Sequence, residues 1–137
     1  MTSELITLSF DKIVQTKNYT GIVLQGLEKK FAIYTDPHVG KILQSYLADI
    51  DRPRPLTHDL LGLICKGLDI QVKQVIIYDL QDATYLARLY LEQQRGPIRH
   101  IVEVDARPSD CITLALMHNA PLYCRREVLE KTIAIAE

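Results

Sequence analysis

Three short stretches set charged and hydroxyl side chains against apolar segments. They hold Arg54, Thr57, His58 and Asp59 in RPLTHDL, then Asp79, Asp82, Thr84 and Tyr85 in YDLQDATY, then Asp105, Arg107, Ser109 and Asp110 in VDARPSD. A cation beside the free N–H groups of a helix start makes an anion corner suited to a phosphate. The sequence offers two such corners, Arg54 before Pro55 and Arg107 before Pro108. Cleaving a phosphodiester further requires a general base or a metal-activated water. His58, Asp59, Asp79, Asp82, Asp105 and Asp110 are the groups that could supply one.

Each cluster also has a structural reading. Thr57 is a good helix N-cap, and Asp59 in the first turn complements the helix dipole. Asp79 and Asp82 flank a turn, where Asp side chains bond nearby backbone amides. Ser109 and Asp110 can begin a helix, with Pro108 tolerated in its first turn. Arg107 fits that reading poorly, because a cation there faces the positive end of the dipole. The carboxylates and arginines could instead pair with one another in an ion network without catalysis.

Sixteen basic and seventeen acidic residues leave a net charge of −1, so no global positive field draws in nucleic acid and any such contact must be local. There is no glycine-rich dinucleotide or nucleotide loop, no GxSxG nucleophile elbow and no HExxH zinc motif. Cys65, Cys111 and Cys124 stand far apart in apolar surroundings and read as buried thiols. No apolar run approaches the roughly 18 to 20 residues that span a bilayer, and the N-terminus lacks a leader pattern, so the expected location is the cytoplasm, with no membrane partner.

The elements that must position these residues are legible in outline. Extended runs at 5–15, 20–25 and 30–35, separated by turn residues, predict three strands, and apolar positions from Val39 to Ile50 predict a helix over 38–49. Pro53 and Pro55 interrupt the chain before a helix begun by Thr57, with Leu60, Leu61, Ile64 and Leu68 as its apolar face and Gly67 as its left-handed stop. Strands follow at 70–78, 84–92 and 98–105, the last with Val102 and Val104 on one face and Glu103 and Asp105 on the other. A helix from Pro108 carries Ile112, Ala115 and Leu116 on one stripe and exits at Asn119-Ala120-Pro121, before a short strand LYC and a last helix from Arg126. The class is α+β: a single domain over 1–137, a mixed or mostly antiparallel sheet with packed helices.

RPLTHDLL at 54–61, VIIYDLQDATYLARLYL at 75–91 and VDARPSDCITLALMHNAPLYC at 104–124 resemble, in order and spacing, the bifunctional nuclease domain family, specifically over about residues 54–132. The resemblance implies DNase and RNase activity and a homodimer. It carries over Arg54, His58, Asp59, Asp82, Asp105, Arg107 and Asp110 as catalytic candidates, with Thr57, Tyr85 and Ser109 in capping or orienting roles. Asp79, Asp82 and Asp105 are then the residues to hold Mg²⁺ or Mn²⁺. In that reading Arg54 and Arg107 hold phosphate and His58 acts as acid or base. The alternative is a noncatalytic binding module with a structural Arg/Asp network or a small anionic ligand. Two departures stand out: Val39 occupies a position where family members often carry an acid, and no C-terminal helical-hairpin extension is expected.

Overall fold

Apolar residues alternate at Ile6 and Leu8, Ile22 and Leu24, and Phe31 and Ile33, and in extended chain each pair shares one face. In the computed structural model, which describes residues 4–135, these runs form β1 (Leu5–Gln15), β2 (Thr20–Gly26) and β3 (Lys29–Thr35). They make an antiparallel meander in which Ile22 sits opposite both Ile13 and Ile33. The ends of the predicted domain, 1–3 and 136–137, lie outside the described residues.

After α1 (Pro37–Leu47) and α2 (Thr57–Gly67) the chain builds a second meander of β4 (Ile70–Gln81), β5 (Thr84–Arg95) and β6 (Ile98–Ala106). The turn predicted from 79 to 83 shrinks to Asp82-Ala83. Bulges between Val72 and Gln74 and between Ile77 and Asp79 let the ladder run on through polar residues to Gln81 opposite Thr84. Next, α3 (Pro108–Met117) crosses back and delivers β7 (Leu122–Arg125) between the two meanders, before α4 (Arg126–Lys131). The sheet order is β3-β2-β1-β7-β4-β5-β6, with β4 and β7 parallel and every other neighbouring pair antiparallel. The protein is thus a single α+β domain with a mixed, mostly antiparallel sheet.

The core lies on one sheet face, where Val75, Ile77, Ala87, Leu122 and Cys124 meet Cys111, Ile112 and Ala115 of α3. No helix among the described residues is long and apolar enough to cross a membrane.

Several local expectations are corrected. Thr57 does not cap α2: Leu56 is the N-cap, and the Asp59 carboxylate, one turn on, accepts the Leu56 N–H at 2.9 Å. Ser109 does not cap α3 either. Arg107 takes that position, and Ser109 is buried one residue inside the helix, its carbonyl accepting the Thr113 hydroxyl at 2.8 Å. Gly67 ends α2, but the left-handed residue is Asp69 (φ 55), whereas Asn119 (φ 53) does make the expected exit from α3. Leu60, Leu61, Ile64 and Leu68 form a helix as predicted but are all exposed, and α2 has no buried residue. Of the cysteines, Cys111 and Cys124 are buried and Cys65 is only partly so.

Asp36 fixes the entry to α1 by accepting the Val39 N–H at 3.1 Å. The helix is clamped to the β1–β2 turn, because the Thr20 hydroxyl donates to Gln15 Oε1 at 2.9 Å and Gln15 Nε2 donates to the Pro37 carbonyl at 3.1 Å. Gly40 lies directly over this pair, and a Cβ there would overlap Gln15 Oε1 and the Thr20 hydroxyl. Gly40→Ala should therefore cost about 1 to 3 kcal/mol, as overpacking does. A lower urea midpoint with an unchanged m-value would show it.

Candidate functional site

The start of α3 determines the site. Backbone φ −62 and ψ 140 at Arg107 turn the chain from β6 into the helix, and no side chain caps the first amides. Asp110, in the first turn, gathers two partners: Arg107 Nε donates to its Oδ2 at 2.9 Å, and His58 Nε2 lies 3.0 Å from its Oδ1. Arg107 pairs through Nε alone and its side chain is 69% exposed, so both terminal NH₂ groups face solvent, while the His58 side chain is 12% exposed. The neighbouring carboxylate raises the Arg107 pKa further and keeps it charged.

These three residues border a cleft of about 720 Å³ between α1, α2, α3 and the β5–β6 strands. Its walls are apolar, with Val39, Ile42, Leu61, Leu91 and Val104 among them, and Asp36 and His38 add to the polar groups around it. Val39 contributes an apolar wall of this cleft and no carboxylate.

Asp105 is elsewhere. Its neighbours Val104 and Ala106 both line the cleft, and strand alternation turns Asp105 to the opposite sheet face. There it stands opposite Arg88 in register and accepts the Tyr78 hydroxyl at 3.0 Å, while the Arg88 guanidinium lies 4.3 Å from the Tyr78 ring centroid. The hydrogen bond to Asp105 raises the Tyr78 pKa. VDARPSD is therefore divided, with Asp105 on one side of the sheet and Arg107 and Asp110 on the other.

Asp59 is held by an arginine that the spacing did not single out. Arg52 Nε and Nη2 bind its two oxygens at 2.7 and 2.6 Å, and the guanidinium lies 4.1 Å from the Tyr46 ring centroid. Arg52, with help from the Leu56 N–H, lowers the Asp59 pKa to about 2. Arg54 is exposed in the 48–56 connection and makes no ion pair among the described residues. Nothing in DRPRP distinguishes the arginine that folds back onto α2 from the one that does not.

Asp79 accepts the Leu80 N–H at 2.8 Å and Gln81 Nε2 at 3.0 Å, contacts that lower its pKa. Asp82 is exposed at the β4–β5 turn with φ 58. Tyr85, half-buried, stacks on Phe31 at the edge of the hydrophobic core, centroids 5.9 Å apart. Among the described residues no three His, Cys, Asp or Glu side chains are grouped to hold a metal, and Asp79, Asp82 and Asp105 are not brought together. Burial pushes the Cys111 and Cys124 thiols up to about 12 and about 11, which keeps them protonated at neutral pH.

A single α+β domain with this site matches the bifunctional nuclease domain over residues 22–136, and the chain belongs to that family. It is also 38% identical over 80 residues to the uncharacterized proteins MT1877 and Rv1829 of two Mycobacterium tuberculosis strains, CDC 1551 and H37Rv. That stretch is 58% of this chain and 44% of each mycobacterial protein.

The Arg52–Asp59 pair makes acid stability testable. A carboxyl with a depressed folded-state pKa stabilises the fold above its unfolded pKa of about 3.9, and the contribution is lost as pH falls through the folded value. Arg52→Gln should accordingly be less stable than the native protein above about pH 4. The two stability curves should converge toward pH 2, which urea titrations at a series of pH values would show.

Proposed function

We propose that the protein is a phosphodiester hydrolase acting on DNA or RNA, with its chemistry at the mouth of the cleft. The observation that carries this reading is Asp110 bridging His58 and Arg107 at the uncapped start of α3. Arg107 would grip a phosphate through its terminal NH₂ groups, joined by the free amides of the helix start. Asp110, accepting from His58 Nε2–H, would fix the tautomer and leave Nδ1 as the base toward the attacking oxygen. Charge developing on the phosphoryl oxygens would be met by Arg107. Asp59 supports the start of α2, which carries His58, and Asp105 acts on the far face of the sheet.

A second reading is favoured by the apolar walls and the near-neutral chain: a noncatalytic site for a small anion with an apolar body. Purified protein incubated with single-stranded DNA and RNA, in Mg²⁺, Mn²⁺ or EDTA, separates the two. The hydrolase reading expects cleavage that His58→Ala and Arg107→Ala each lower by roughly 10²-fold or more. Failure to cut under any of the three conditions would overturn it, as would full activity in both variants.

A further inference from the structure

We propose, resting on the anion-binding reading of the cleft and not on hydrolysis, that its ligand is a free aliphatic acid. The chain of that acid runs along α3 beside α2, and its carboxylate sits on Arg107. The cleft has the length for it. Asp110 in the first turn of α3 and His118 at its C-cap both border the cleft, and at the helical rise they are about 12 Å apart. At the His118 end Gly62 lets the imidazole press against α2, since a Cβ there would come 3.1 Å from His118 Cε1. The charged end is the other one, with Arg107, Asp110 and His58.

The lining selects an aliphatic occupant. Leu56, Leu61 and Val104 border the cleft yet remain 38%, 41% and 36% exposed, and α2 buries none of its residues, so this side stays open to water. A bound chain would cover these apolar surfaces, which is the driving force for binding in such clefts. Among the described residues no Phe or Tyr borders the cleft, so it offers no large ring on which a base or other flat group would stack. Midway along α3 the Thr113 hydroxyl is already spent on the Ser109 carbonyl. A base seated there would leave ring nitrogens and amides unpaired, whereas a methylene chain has no polar atom to satisfy.

The head of the acid meets Arg107. That residue spends only Nε on Asp110, which leaves its two terminal NH₂ groups for a carboxylate in parallel two-bond geometry. The nearby acids are already engaged, Asp110 with Arg107 and His58, and Asp36 with the Val39 N–H. An acid bound this way occupies the guanidinium that a phosphate would need, so the two ligands exclude each other.

Calorimetric titration of the full chain with octanoate, decanoate and longer acids, below micelle formation, tests this. Affinity should rise roughly fourfold with each added methylene until the chain reaches the His118 end, and then stop rising. Arg107→Gln should weaken decanoate binding by roughly tenfold or more, and the native protein should prefer decanoate to decanol by a similar factor. Cys65→Phe, which fills the His118 end, should move the break to a shorter chain with an unchanged circular dichroism spectrum. Affinity that climbs without a break, or that neither variant alters, overturns the inference. Binding of naphthoate with none of decanoate also overturns it while keeping an anion site in the cleft, and binding of neither removes the anion-binding reading as well.

Discussion

The parallel pairing of β4 with β7 is the constraint on which the rest of the architecture depends. Three registered positions, Val75 to Leu122 through Ile77 to Cys124, bind β7 to the meander from the middle of the chain, and the other side of β7 pairs with β1 of the first meander. A parallel neighbour cannot be reached by a tight turn, so the chain must leave the β6 edge, cross the sheet and enter at its centre. That crossing is α3, which has more buried residues than any other helix among the described residues, with Cys111, Ile112 and Ala115 at 0% exposure. The place of the Asp110 corner follows from this route, because the helix must begin where β6 ends, beside α1 and α2.

Period and punctuation made the elements legible, and tertiary pairing decided what they did not show. The seven strands and four helices of the described residues could all be found from alternation, helical spacing, prolines and turn residues. The misplaced caps at Thr57 and Ser109 share a cause. A hydroxyl next to a helix start is a cap only if backbone dihedrals leave it outside the helix, and Pro55 and Pro108 set the boundary one or two residues earlier. In the same way α2 was found from its leucines, but a helical stripe shows only that a face needs cover, and this chain does not provide it.

The site was legible as a list of residues and not as an arrangement. Arg107 was singled out because a cation at a helix start is anomalous by dipole arguments, and its pairing with Asp110 together with its exposure accounts for its place there. The partnership of His58 with Asp110 spans 52 positions and could not be read from spacing. Asp105 and Arg107 looked like one motif because they are two residues apart, yet the strand ends between them and sends them to opposite faces of the sheet. The Tyr78, Arg88 and Asp105 contacts depend on the β5–β6 register, which was not available from the strands taken singly.

The central position of β7 also bears on the order in which the protein can be made. During synthesis both meanders are complete before the strand that joins them emerges, since β6 ends at Ala106 and β7 begins at Leu122. Until then the inward edges of β1 and β4 are unpaired, and each half of the sheet carries an open side that another nascent chain could occupy. Contacts such as Leu5 with Arg125 close almost the whole length of the chain, so joining the two halves of the sheet is a long-range pairing.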